Sequence, residues 1–136
     1  MSDKAFLDTN ILVYAIEQGG SEKSVIALAL AQRGDIYVST QVLGEFYNAV
    51  TSQRRASPLT HDEATAWIQL WKKYHVSNIT TAHVDLALEI SGRFQISYYD
   101  SLILSAARLA RIDLVHSEDL ADGQDYDGVT VKNPFG

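Results

Sequence analysis

The sequence predicts a single α/β domain, residues 1–136, built on a mostly parallel sheet of about five strands with helices on both faces. Two observations carry that prediction. Short apolar runs bounded by turn residues alternate with segments of helical periodicity. Strands separated by helices are joined by right-handed crossovers, which lay the strands parallel. No repeat, low-complexity segment or linker divides the chain.

The first strand runs from about Lys4 to Leu7, and a helix follows from Asn10. A second helix spans about Ser21 to Arg33 and is stopped by Gly34 and Asp35. "IYVS", Ile36 to Ser39, is the second strand, and Thr40 is placed to cap a helix reaching about Arg54. "SPLTHDE" combines a turn with a capping box, Thr60 with Glu63, opening a helix to about Tyr74. "HVSNI" is a short third strand. "TAHVDLALEISGRF" reads as a helix with its apolar face on Val84, Leu88 and Phe94, and "SYYDSLILSAARLARI" as another. "DLVHS" is the fourth strand and "GVTVKNP" the fifth.

Composition narrows the function classes. Hydrophobic residues make up 46% and charged residues 21%, the balance of an ordinary globular domain. The absence of cysteine excludes a disulfide scaffold, thiolate zinc sites and cysteine nucleophiles. Asp3, Lys4 and Asp8 break any apolar signal core at the N-terminus, and "VIALALA" is too short to span a bilayer. The expected setting is therefore cytoplasmic, with no membrane partner. A net charge of −6 argues against a general nucleic-acid coat, though not against an enzyme that handles nucleic acid through bound metal.

In parallel α/β folds, sites form at the carboxyl ends of strands. Acids stand at several of those ends. Asp8 follows the first strand, Glu45 lies one turn into the helix after the second, Asp100 opens the helix before the fourth, and Glu118 and Asp119 follow the fourth. Each has a structural role open to it: Asp8 as a helix cap, Asp100 as the last member of a Ser97 capping box, Glu118 and Asp119 as a polar turn. Glu45 is the least easily accommodated. It sits against an apolar helix face beside Val42 and Phe46, and no Lys or Arg lies three or four residues away. One partner suits all of these acids, a divalent cation. Oxygen-only ligands without sulfur favour Mg²⁺ or Mn²⁺ over zinc, and such sets recur in displacement at phosphorus.

Taken together these segments resemble a PIN domain, and more closely a VapC-type toxin ribonuclease. "FLDTNILVYA" is similar to the first motif of that family, with Asp8 its acid. "STQVLGEFYNAVT" is similar to the second, with Glu45. "SYYDSLILSAARLARIDLVHSEDL" is similar to the third block, with Asp100 and Asp119. "GVTVKNPF" resembles the closing strand, so the likeness spans nearly the whole chain. It implies a three-layer α/β/α fold with strand order 3-2-1-4-5 and hydrolytic endonuclease cleavage of RNA dependent on Mg²⁺ or Mn²⁺. It also implies homodimers, and neutralisation in a higher assembly with a small VapB-like antitoxin. Asp8, Glu45, Asp100 and Asp119 would be the catalytic and metal-binding residues. Thr9 and Ser117 would orient water or ligands behind them. The family often carries Thr-x-Asp where this chain has Ser117-Glu118-Asp119, which makes Glu118 a rival of Asp119.

Other features fit structural roles. Arg54 and Arg55 suit a helix C-terminus, with phosphate contact as the alternative. Trp67 and Trp71, four apart, form a core or dimer stripe before a base-stacking platform. His116 lies near the acids, but His61, His75 and His83 show that histidines are scattered here. The rival functions are a catalytically silent PIN scaffold acting by partner binding and a haloacid-dehalogenase-type phosphatase. The latter needs a second Asp two residues after the first, where this chain has Asn10.

Overall fold

The central strand β1 (Ala5–Leu7) is buried at all three positions, as a parallel strand covered on both faces must be. Around it the chain forms α1 (Thr9–Ala15), α2 (Glu22–Ala31), β2 (Ile36–Ser39), α3 (Thr40–Thr51), α4 (His61–Trp71), β3 (His75–Ser77), α5 (Thr81–Phe94), α6 (Tyr98–Leu109), β4 (Leu114–His116), β5 (Asp125–Tyr126) and β6 (Val129–Lys132). This computed structural model describes residues 4–136, and Asp3 lies outside them.

The six-stranded sheet has the order β3-β2-β1-β4-β6-β5, parallel throughout except for the β5–β6 pair. Its parallel strands follow the expected 3-2-1-4-5 order, with β6 as the fifth. The addition is β5, two residues long and joined to β6 through Asp127 and Gly128 at φ 57° and 99°. Both residues take the left-handed conformation that a tight hairpin needs, and Asp-Gly supplies it cheaply.

Topology also sorts the helices. The chain steps outward from β1 to β2 to β3 through α1–α4, then crosses back to β4 through α5 and α6. A fixed right-handed crossover puts these two groups on opposite faces. The packing agrees: α1 meets α2 and α3, α3 meets α4, and α5 meets α6. The direction reverses between β1 and β4, so a crevice opens at their carboxyl ends. No helix among the described residues is long and apolar enough to cross a membrane.

Helix α6 is buried without interruption from Ser101 to Ala107. It packs on α5 and touches β2, β4 and β6. Such a helix must satisfy its own polar groups, and the Ser101 and Ser105 hydroxyls donate to the Ser97 and Leu102 carbonyls, each at 2.8 Å. Trp71 is a core residue, stacked on Trp67 at 5.3 Å and edge-on to Phe46 at 5.8 Å.

Several boundaries differ from expectation for identifiable reasons. Ser39, not Thr40, caps α3: its hydroxyl accepts from the Val42 amide at 3.2 Å. The Thr40 hydroxyl instead accepts from the Ile79 amide at 3.1 Å, tying α3 to the segment after β3. Helix α3 ends at Thr51, because Ser52 is extended, so Arg54 and Arg55 lie beyond it. Helix α4 ends at Trp71, and Tyr74 lies outside it with its hydroxyl donating to the Ala31 carbonyl. On α5 the buried stripe is His83, Ala87 and Ile90, while Leu88 is 58% exposed. His83 displaces the expected face because its Nδ1 accepts from the Thr80 amide at 3.0 Å, which lets the ring body turn inward.

The two faces of α5 should separate in equilibrium unfolding. Ile90→Ala should cost about 2–5 kcal/mol, as buried Ile→Ala changes do. Leu88→Ala should stay within about 0.5 kcal/mol, as exposed changes do. The reverse order would return α5 to its sequence-predicted face.

Candidate active site

The residue after β1 must leave the sheet and start α1 in one step, and Asp8 does both. Its backbone is extended (φ −73°, ψ 161°), and its amide donates to the His116 carbonyl at 3.0 Å, prolonging the β1–β4 ladder. Its carboxylate caps α1, with Oδ1 accepting from the Thr9 amide at 2.7 Å. Oδ2 accepts from the Ser117 hydroxyl at 2.7 Å and from Asn10 Nδ2 at 3.5 Å. Asp8 is only 5% exposed, and every partner is neutral.

The other acids arrive from three further segments. Glu45 is half-buried on α3, where Oε1 accepts from the Thr9 hydroxyl at 2.7 Å and Oε2 from Gln41 Nε2 at 3.3 Å. Asp100 sits in the first turn of α6, with its amide donating to the Ser97 hydroxyl at 3.1 Å. Asp119 accepts from Asn10 Nδ2 at 3.0 Å, and its amide donates to the Ser117 hydroxyl at 3.1 Å. All four line one cavity of about 530 Å³, together with Glu17, and no Lys, Arg or His lines it.

Glu118 goes elsewhere. It accepts from the Tyr14 hydroxyl at 2.6 Å and from Lys23 Nζ at 2.8 Å, and it does not line the cavity. Burial opposes its ionisation, but the Lys23 and Tyr14 hydrogen bonds outweigh that and hold its carboxyl below the ordinary value. Adjacent residues thus divide: Asp119 faces the cavity and Glu118 fastens α2 to the strand end.

Electrostatics mark Asp8 most strongly. Burial drives its pKa up to about 6, against the Ser117 and Thr9 hydrogen bonds, and the Asp119 and Glu45 charges add to the rise. Asp100 is also raised, first by burial and then by Asp119, against the Ser97 contact. His116 lies at the end of β4 but outside the cavity lining, and burial holds its pKa down to about 4.

Two residues that shape the site, Asn10 and Gln41, are not legible as such in the sequence. Asn10 was read only as a helix start, yet its amide spans Asp8 and Asp119. A search for an opposite charge beside Glu45 does not register Gln41, although an amide four residues before a glutamate can donate to it. Thr9 supports Asp8 through its amide and Glu45 through its hydroxyl. Ser117 does stand behind Asp8, and behind Asp119 as well.

A hard cation suits this donor set in chemistry. The lining acids offer oxygen only, and the buried carbonyl oxygens of Asn10 and Gln41 have no hydrogen-bond partner in the protein. Among the described residues no three acidic or histidine side chains already form a closed ligand set.

Comparison with known proteins gives a family and several folds. The family model described as "PIN domain" matches residues 5–121. No curated protein sequence matches. Among solved structures, a toxin–antitoxin complex from Klebsiella pneumoniae superposes with a TM-score of 0.69 at 17% identity, over 96% of this chain and 98% of that one. Mycobacterium tuberculosis VapC20, described as a sarcin–ricin-loop-cleaving toxin, gives 0.68 at 24% identity over 85% and 90%. VapBC2 from Rickettsia felis, bound to a promoter DNA fragment, gives 0.67 at 17% identity over 94% and 96%. At these identities the likeness is one of fold.

The raised Asp8 pKa has a signed consequence. The native state holds this proton more tightly than the unfolded chain, whose Asp titrates near 3.8, so ionising Asp8 costs stability progressively up to pH 6. The full cost, about 3 kcal/mol, is present above that. In EDTA, thermal unfolding of Asp8→Asn should match wild type near pH 4 and exceed it above pH 6. Mn²⁺ at a hundredfold excess over its Kd should stabilise wild type by about 2.7 kcal/mol and the variant much less. A variant less stable than wild type at every pH would make Asp8 a structural anchor.

Proposed function

The chain belongs to the PIN domain family, and on that premise we propose that it is a Mg²⁺- or Mn²⁺-dependent endoribonuclease, the toxin of a VapBC-type pair. The observation that carries the reading is the convergence of Asp8, Glu45, Asp100 and Asp119, from four separate segments, on one cavity without a protein cation. Such a site disfavours its own charges unless an ion or substrate completes it.

Asp8, Asp100 and Asp119, with Glu45, are the residues that would hold the cation. When bound, it supplies Lewis-acid activation of water and offsets charge at phosphorus. The protein's part is positioning. Ser117 fixes the carboxylate of Asp8 and the backbone of Asp119 through one hydroxyl. Thr9 and Gln41 fix Glu45 and leave it able to accept a proton from an attacking water. Asn10 Nδ2 bridges Asp8 and Asp119, donating to both carboxylates. Water attack at phosphorus with loss of the 3′-oxygen leaves 5′-phosphate and 3′-hydroxyl ends. Attack by the ribose 2′-hydroxyl would need an acid–base pair, and no histidine lines the cavity.

The partners follow from the same cavity. A cluster of carboxylates is a natural receptor for Arg, so the proposed inhibitor is a small VapB-like antitoxin that places a basic side chain there. The nearly full-length superposition on a toxin–antitoxin complex supports this partner, and a homodimer bound to it is the assembly expected.

RNA cleavage should stop in excess EDTA and in Asp100→Asn. Asp119→Asn should lose at least about a hundredfold, the upper end for losing even a supporting residue at a metal site. Glu118→Gln should retain most activity, because Glu118 serves Lys23 and Tyr14. Sequencing of the cleaved ends checks the chemistry: cyclic phosphates, or cleavage surviving EDTA, would overturn it. A protein that binds its partner but cuts no RNA would be the silent scaffold instead.

Antitoxin binding gives a separate check. Replacing the cavity-facing Arg of a co-purified partner with Ala should restore RNA cleavage in a fluorescence assay. Full inhibition retained by that variant, with the acids still open to Mn²⁺, would place the inhibitory contact elsewhere.

A further inference from the structure

The cavity raises a problem of affinity. Five carboxylates line it, no Lys or Arg does, and the whole chain carries −6. Phosphate contacts from basic side chains usually supply most of the attraction for nucleic acid. Here the lining offers none. A bound cation offsets charge at one phosphate but does not hold the nucleotides beside it.

Tyr99 supplies what the lining lacks. It stands on the cavity wall next to Asp100 and is 63% exposed, the most exposed large apolar side chain among the described residues and the one aromatic in that group. Single exposed apolar residues are common, but this one is held in place. It belongs to the first turn of α6, the helix with seven consecutive buried residues. Its carbonyl accepts from Gln41 Nε2 at 3.2 Å, the same amide that supports Glu45. Tyr98 meets its ring edge-on, with centroids 5.1 Å apart at 78°. The backbone that carries the ring is therefore tied to the Glu45 support, and the ring has Tyr98 on one side and solvent beside it.

Resting on the nuclease reading above, we infer that Tyr99 is a stacking platform for an unpaired base of the substrate next to the scissile phosphate. A base inside a duplex has both faces covered and cannot lie on the ring, whereas a base in a loop or single strand can. Stacking is tolerant of base identity and insensitive to salt, unlike phosphate contact. It therefore suits an acidic protein. Tyr99 acts in binding and takes no part in bond making.

The test is steady-state cleavage of a short single-stranded RNA pool of randomised sequence, and of the same pool annealed to its complement, with Mn²⁺ present. Wild type, Tyr99→Ala, Tyr99→Phe and Tyr99→Trp are compared. Thermal unfolding controls for folding and should not change. For Tyr99→Ala, KM should rise about tenfold, the size of one lost base stack, with kcat little changed. The same ratio should hold at low and high salt. Phe and Trp should keep KM near wild type, because they retain the aromatic face. The duplex should be cut poorly by all four. If wild type cuts the single strand but Tyr99→Ala keeps its KM, or Phe is as poor as Ala, or the duplex is cut as readily, the stacking inference is overturned while the nuclease reading stands. Unchanged KM would leave the ring to a protein partner. If wild type cuts no RNA, both fall together.

Discussion

The hydroxyl of Ser117 joins the two halves of the molecule. It donates to Asp8 at 2.7 Å and accepts from the Asp119 amide at 3.1 Å, at a fully buried position where β1 and β4 end side by side. The first half of the chain supplies β1 and the last third supplies β4, so this one oxygen sets the distance between acids 111 residues apart in sequence. Ser has the hydroxyl that Asp8 needs and no further bulk to crowd it. Ala here would leave a buried carboxylate oxygen short of a partner, which is more costly than losing an average hydrogen bond.

Around that contact the site works against the fold. The core asks for apolar residues at the sheet's edge, and Asp8 sits among them charged. Neutral donors relieve the charge without removing it: Ser117, the Thr9 amide and, at longer range, Asn10. Asn10 is the most telling of these. Donating to two carboxylates, it offsets their repulsion, but with far less attraction than a cation would give. Local rules broken in one place, within a chain that elsewhere obeys them, are what a functional site leaves in a structure.

Much of this was legible in the chain, because the signals were local or positional. Apolar runs and their turns marked the parallel strands, and their alternation with helices made the strand ends the place to look for acids; the strand order came only with the family resemblance. Glu45 stood out because nothing near it in sequence carried an opposite charge. What stayed hidden depended on contacts across the fold. Sequence left Glu118 and Asp119 as rivals since they are neighbours, and only the distant Lys23 and Tyr14 separate them. Apolar spacing points Leu88 inward, whereas the hydrogen bond that His83 accepts from the Thr80 amide makes His83 the fit inward residue. Strand β5 is two residues long, too short for any periodicity to show.

That small strand has a consequence for how copies of the molecule meet. By pairing antiparallel with β6 and turning back at Asp127–Gly128, it closes one side of the sheet with only two residues of open backbone. The opposite side ends in β3, three residues long. Neither margin offers the long, flat row of free amides and carbonyls that recruits another strand. Edge-to-edge growth of the sheet, with the fibrous aggregation it invites, is thus disfavoured at both margins.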